Sequence, residues 1–220
     1  MLIAGVDEAG RGCVIGPLVI AGVLIEEEKV PLLVQLGVKD SKLLSPRKRE
    51  ILAAEIACIA AKCLTVKLSP MEIDRAVENK RKLHKLNRLE AQAMAQVINN
   101  LKPDIVYVDA ADVIEKRFGQ HIQEDLAVKA TVIAKHKADK IYPVVSAASI
   151  IAKVERDREI EVLKAEYGDF GSGYLTDKKT MKFLREWLKT HDEHADCVRK
   201  SWKPAKRIIN EYDVAQKKLC

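Results

Sequence analysis

Residues 2–12 read Leu2-Ile3-Ala4-Gly5-Val6-Asp7-Glu8-Ala9-Gly10-Arg11-Gly12, an apolar run that meets two adjacent carboxylates and then a glycine-rich corner. Leu2, Ile3, Ala4 and Val6 have little polar interruption, which predicts a strand covered on both faces. In a continuous strand, adjacent side chains point to opposite faces. Asp7 and Glu8 are therefore expected to serve one site only if the strand stops at them. Gly10 and Gly12 supply that stop, let the main chain approach a ligand closely, and flank the positive charge of Arg11. The stretch predicts carboxylates for metal beside main-chain N–H groups for phosphate or sugar. An Asp-Glu pair before a glycine turn is, by itself, also a common polar turn.

The rest of the 220-residue chain sets the frame for that stretch. Its 48% hydrophobic content is enough to bury a core, as one domain or one domain with a small appendage. No run of about 18 apolar residues occurs and a strand begins at residue 2, so neither a membrane span nor a signal peptide is expected. A soluble, cytoplasmic monomer is anticipated. The five cysteines are odd in number and lack CxxC spacing, which argues for reduced thiols over a disulfide framework or a zinc site. Net charge is +6, and residues 176–220 hold twelve Lys/Arg against seven Asp/Glu, so almost all the positive excess is C-terminal. That footprint suits a polyanionic partner, with a solvated lysine-rich helix face as the plainer account.

Along the chain, residues 17–25 predict a second strand, and Glu26-Glu27-Glu28 before Pro31 a surface turn. Ser45-Pro46 gives a strong helix start, with the helix running to about Lys62. Lys42, Arg47, Lys48 and Arg49 cluster at its entrance as phosphate candidates or as solvated charges. Residues 63–68 alternate as a third strand, Ser69-Pro70 opens another helix, and a longer one spans His84 to Asn100 with its apolar residues at helical spacing. Asp104–Asp109 repeats the opening design, an apolar strand ending on aspartate. Strands of an α/β sheet gather such residues at their carboxyl ends, so Asp109 is a natural further ligand. Helix capping is the competing role, and Asp112 fits it better.

A helix over 113–126 and a strand over 128–134 follow. Asp139 then stands beyond a strand, before Pro143 and a helix whose first turns are small residues suited to lying close against the sheet. Asp169–Tyr174 is a glycine-rich loop ending on an aromatic, a stacking platform for a sugar or base, or a tyrosine clamped over its own loop. A helix from Asp177 to Lys189 and a last basic helix complete the chain. His191 and His194 offer metal-ligand types with no other ligand visibly converging. Trp202 lies among cationic residues, as a nucleic-acid contact or as an anchor for the last helix.

Five segments, in order, resemble the ribonuclease HII family: GVDEAGRG with Gly16-Pro17, the DSK of residues 40–42, the strand ending on Asp109, KADxxYPVVSAASIIAKVERD from Lys137, and GSGY at 171–174. Two positions depart from the family pattern, where proline is usual: Cys13 after GRG, and Leu175 after the tyrosine. The resemblance covers most of residues 1–175 and part of the basic tail. It implies a ribonuclease H-like α/β fold, with a central mixed sheet flanked by helices (1–175) and a small basic helical extension (176–220).

The resemblance further implies that Asp7, Glu8, Asp109 and Asp139 are the catalytic carboxylates and hold two divalent ions; Asp7, at the strand end, is the candidate for bridging both. All-oxygen ligands suit Mg²⁺ or Mn²⁺. Gly10, Arg11 and Gly12 would read the 2′-hydroxyl of a ribonucleotide, Lys42 would line the substrate groove, and Tyr174 would stack on the deoxyribose beyond. The implied activity is hydrolysis of RNA in RNA–DNA hybrids, and cutting 5′ of ribonucleotides embedded in duplex DNA to leave 5′-phosphate and 3′-hydroxyl ends. Gln216-x-x-Leu219 resembles the first half of the sliding-clamp binding motif, without its aromatic pair. Two rivals stand beside this reading: a DNA-processing nuclease or resolvase of the same superfamily, and a non-catalytic hybrid-binding module.

Overall fold

The computed structural model describes residues 1–38, 44–79 and 85–217. Lys42 and Leu219 lie outside the described residues. At the centre is a five-stranded sheet in the order β3-β2-β1-β4-β5. Its strands are β1 (Leu2–Ala9), β2 (Leu18–Glu26), β3 (Lys62–Leu68), β4 (Ile105–Asp109) and β5 (Thr131–Lys135). β1 runs antiparallel to β2 and parallel to β4, and β4 runs parallel to β5, so the sheet is mixed. Parallel neighbours need crossovers. The longer connection, from β1 to β4, includes α4 (Lys85–Leu101), and α5 (Glu115–Glu124) joins β4 to β5.

The remaining helices are α1 (Val30–Gln35), α2 (Pro46–Ile59), α3 (Pro70–Glu78), α6 (Ala138–Ile141), α7 (Pro143–Tyr167), α8 (Lys178–Trp187) and α9 (Lys203–Lys217). Ser45 caps α2 through Lys48 N–H, and Ser69 with Glu72 forms a capping box on α3, as their Ser-Pro signatures predict. The acidic run is not a simple turn. Glu27–Lys29 forms a 3₁₀ turn and Pro31 sits in the first turn of α1, where its missing N–H costs nothing.

The chain divides into two compact units that interleave in sequence. The first contains Met1–Ala9, Val19–Lys67 and His84–Arg156; the second contains Gly10–Leu18, Leu68–Leu83 and Asp157–Cys220. Residues 176–220 fall wholly in the second.

In the first unit the start of α7 packs hard against β1. A Cβ on Gly5 would lie 2.3 Å from the Val144 carbonyl carbon and oxygen, so no larger residue fits there. The small residues opening α7 serve this approach, with Val144, Val145, Ala147 and Ala148 buried beside Ile3, Val23 and Ile25. In the second unit Val14, Ile15, Ile160, Phe170, Leu184, Val198 and Ile208 form a separate core.

Candidate active site

The parallel register of β1 and β4 sets the site in the first unit. Val6 pairs with Val108, so the next residues, Asp7 and Asp109, reach the same level at the carboxyl ends of adjacent strands. Asp7 is only 4% exposed. Burial pushes its carboxyl up to about 7, reinforced by the charges of Asp109 and Asp139, while hydrogen bonds from Ser149 and the Glu8 N–H oppose the rise. That N–H lies 2.7 Å from Asp7 Oδ1.

Asp139 enters from a different element. Asp109 Oδ1 accepts from Ala138 N–H at 3.0 Å, which ties the end of β4 to the single turn α6 that carries Asp139. Lys137, at φ 56°, makes the left-handed bend that starts this turn. The Asp139 main-chain oxygen accepts from Ser146 Oγ of α7, and the residue is buried. The charges of Asp109 on β4 and Asp139 on α6 thus both act on Asp7 of β1.

Glu8 stands differently. β1 does not stop at the acidic pair but continues to Ala9 in register with β2, Glu8 opposite Ile20, so strand alternation turns Glu8 away from Asp7. Its Oε2 is nonetheless buried. The donor set is all oxygen, and a buried carboxyl repelled by two others at neutral pH is relieved by a divalent cation, so these residues fit Mg²⁺ or Mn²⁺. Among the described residues, no three His, Cys, Asp or Glu side chains are gathered closely enough to hold an ion as they stand.

In the second unit the GRG loop and Tyr174 come together. Cys13 and Tyr174 form an antiparallel bridge, and Gly173 O accepts from Val14 N–H at 2.9 Å and Ile15 N–H at 3.2 Å. Gly10 has φ 88°, the left-handed conformation its turn requires. Cys13 N–H closes this turn onto Gly10 O at 3.2 Å, a bond that proline would lack. Gly12 has no positive φ, and among the described residues nothing beyond its chain neighbours lies within 4 Å of the position of a Cβ. Nothing in the fold requires glycine there, whereas a closely approaching ligand would. Tyr174 is half-buried beside the turn of Ser172 and Gly173, whose N–H groups donate to Asp177 Oδ2 (2.7 Å) and Thr180 Oγ1 (3.0 Å).

Several sequence expectations change. Arg49 is buried and donates to Leu44 O at 2.6 Å, which leaves Arg47 and Lys48 as the exposed cations of that helix start. Asp112 binds Arg117 and the Ile114 N–H ahead of α5, and the Arg117 guanidinium holds its carboxyl well below the usual range. His191 stacks on Trp187 with ring centres 4.0 Å apart, and buried His194 pairs with Ala205 O at 3.0 Å, so neither behaves as a metal ligand. Arg199, one of the cationic residues around Trp202, is fully buried.

The C-terminal charge does form a surface. α8 and α9 line a hollow of about 320 Å³ with Arg185, Lys203 and Arg207, and a further one of about 600 Å³ lies along α9. Three contributors escaped the sequence reading: Ser149, Gly5 and Arg199. Ser149 was hidden in a run of small residues, Gly5 in an apolar strand and Arg199 in a basic tail.

The ribonuclease HII family profile matches residues 4–205. Ribonuclease HII of Pyrococcus abyssi is 49% identical over 98% of this chain and 95% of its own length. The crystal structure of ribonuclease H2 from Pyrococcus horikoshii superimposes with a TM-score of 0.89 at 46% identity, covering 97% of this chain and 99% of that one. The ribonuclease HII of Archaeoglobus fulgidus, solved in complex with PCNA, superimposes at 0.83 with 47% identity over 92% of this chain and 96% of its own. The mixed sheet, the aspartates at its strand ends and this likeness over nearly the whole length agree: the chain belongs to the ribonuclease HII family and is a ribonuclease H enzyme.

Proposed function

We infer that this enzyme hydrolyses the RNA strand of RNA–DNA hybrids and cuts 5′ of single ribonucleotides embedded in duplex DNA, leaving 5′-phosphate and 3′-hydroxyl ends. The observation that carries the reading is Asp7, buried and repelled by Asp109 and Asp139. Those three, with Glu8, whose Oε2 is buried although its strand position faces away from Asp7, would hold two divalent cations. Bound there, the ions would supply an activated water and charge neutralisation at the departing oxygen. Ser149 and the Glu8 N–H hold the Asp7 carboxylate in one orientation. Asp109 fixes the turn that presents Asp139.

Choice of substrate is assigned to the second unit. The main chain of Gly10, Arg11 and Gly12 reads the 2′-hydroxyl, which alone separates RNA from DNA at one position. The open space at Gly12 supports this role. Tyr174, bridged to the same loop, stacks on the deoxyribose beyond. Arg185, Lys203 and Arg207 neutralise backbone phosphates without regard to sequence. The C-terminal segment that includes Gln216 and Leu219 docks on a sliding clamp, a reading supported by the Archaeoglobus relative. Absence of measurable affinity between the clamp and the 220-residue chain would sink that assignment.

The decisive experiment compares Mg²⁺- or Mn²⁺-dependent cleavage of a labelled DNA duplex carrying one ribonucleotide with that of its all-DNA counterpart. A cut 5′ of the ribonucleotide with the control intact is expected. Cleavage of both duplexes would discard main-chain reading of the 2′-hydroxyl. Cleavage of neither would remove the assigned reaction.

A further inference from the structure

Among the described residues, Arg199 is the largest fully buried side chain. Its guanidinium donates through Nε to Gly16 O (3.1 Å), through Nη1 to Arg11 O (2.9 Å) and through Nη2 to Gly10 O (2.7 Å). Three carbonyls of one loop thus converge on a single planar cation, an arrangement that lysine, with its compact ammonium, cannot reproduce. The cation also lies 5.1 Å from the Trp202 ring centre, and Arg199 N–H donates to Val14 O at 2.8 Å. The next two residues are held in turn: Asp74 of α3 accepts from Lys200 N–H at 2.8 Å and Ser201 N–H at 2.9 Å. The fork is built on a fixed base.

The peptide group converts this anchorage into a directional device. Across a trans peptide, the carbonyl of one residue and the N–H of the next point in opposite directions. Drawing the Gly10 and Arg11 carbonyls onto the guanidinium therefore turns the Arg11 and Gly12 N–H groups away from it. Those are two of the donors assigned to the 2′-hydroxyl. Glycine at position 10, with φ 88°, would otherwise leave the orientation of these peptides open to many alternatives.

We propose that Arg199 is a positioning residue for ribonucleotide recognition: its buried guanidinium orients the Gly10–Gly12 peptides so that their N–H groups face the sugar to be read. This rests on the main-chain reading proposed above. Arg199 touches no substrate; it acts through the loop, by holding donors in place before the substrate arrives.

The test uses the full chain with Arg199→Lys, Arg199→Ala and, as reference, Gly12→Ala. In one assay the KM for a duplex carrying a single ribonucleotide is measured together with the Ki of the all-DNA duplex as competitor. Both constants are insensitive to the fraction of enzyme that is folded, so partial unfolding lowers only the maximal rate. Arg199→Lys is expected to raise KM about tenfold or more while Ki stays within about twofold, with added guanidinium restoring the low KM of Arg199→Ala. An unchanged ratio of Ki to KM in both Arg199 variants, with Gly12→Ala losing discrimination, would overturn the positioning role alone. An unchanged ratio in all three variants would overturn main-chain reading, and the Arg199 proposal with it.

Discussion

Asp109 Oδ1 and Ala138 N–H are hydrogen-bonded at 3.0 Å, so one carboxylate of the site also holds the turn that presents another, Asp139. Charge and anchorage are therefore combined in one side chain. Asp109→Asn keeps an acceptor oxygen at this place, whereas Asp109→Ala does not. Both variants are expected to lose turnover by about a thousandfold or more. Only Asp109→Ala should also melt earlier, with a loss of about 1 kcal/mol from the broken bond. Steady-state rates and thermal melts of the two variants separate the roles, and full activity of Asp109→Asn would refute the catalytic one.

Asp7 makes the metal-free protein sensitive to pH. An unfolded aspartate ionises near 3.8, while folded Asp7 keeps its proton up to about 7. Between those values the folded state binds the additional proton, so its stability falls as pH rises through this window. Asp7→Asn removes the cost of the buried charge. In chelator at pH 8 that variant should be the more stable, with a ceiling of about 4 kcal/mol, and the advantage should vanish near pH 4. Melting curves over this range in EDTA, repeated with Mg²⁺, check both the sign and its reversal. No gain at pH 8 would contradict repulsion at this carboxylate.

Gly5 and Gly12 should answer the same substitution in opposite ways. An alanine at position 5 meets the Val144 main chain and is expected to destabilise by about 3 kcal/mol. At position 12 the same methyl meets no protein atom, so the melting temperature should hold while cleavage at a ribonucleotide falls. Parallel melts and cleavage rates test the contrast; an active Gly12→Ala enzyme would exclude close sugar approach.

Tyr174→Ala is expected to weaken cutting at an RNA–DNA junction more than it weakens binding of duplex DNA, with Tyr174→Phe close to wild type, since the proposed stacking needs only the ring. Equal losses in cutting and binding would make the tyrosine a support for its own loop.

Arg185 and Lys203 form no ion pair with another described residue, and both border the hollow between α8 and α9. Replacing both with alanine should lower the slope of log affinity against log salt by about 1 to 2, equally for duplexes with and without a ribonucleotide. An unchanged slope would show that duplex backbones pass elsewhere.

Much of this was legible in the sequence. Alternating and continuous apolar runs predicted all five strands, and Ser-Pro pairs marked two helix starts. Aspartate at a strand end picked out Asp7 and Asp109, because sheet register gathers such positions wherever strands are parallel. The continuation of β1 past Glu8 was not legible, since pairing with β2 extends the strand beyond the acids and local sequence does not reveal its partner. Nor was Arg199. A buried arginine and a solvated one look alike in sequence, and the three carbonyls that distinguish them lie about 190 positions away. Ser149 is hidden for a similar reason: its hydroxyl matters only because α7 packs against the strand that carries Asp7.

The bond from Arg199 to Gly10 joins residues 189 positions apart, and this gives synthesis of the chain an order. A nascent polypeptide that has emerged only as far as residue 198 can form β1 and β2, yet it has no cation for the carbonyls of the loop between them. The turn between β1 and β2 gains this anchor only after the 189 positions that separate the two residues have been made. Until then, the proposed reader of the sugar lacks the support that the longer chain gives it.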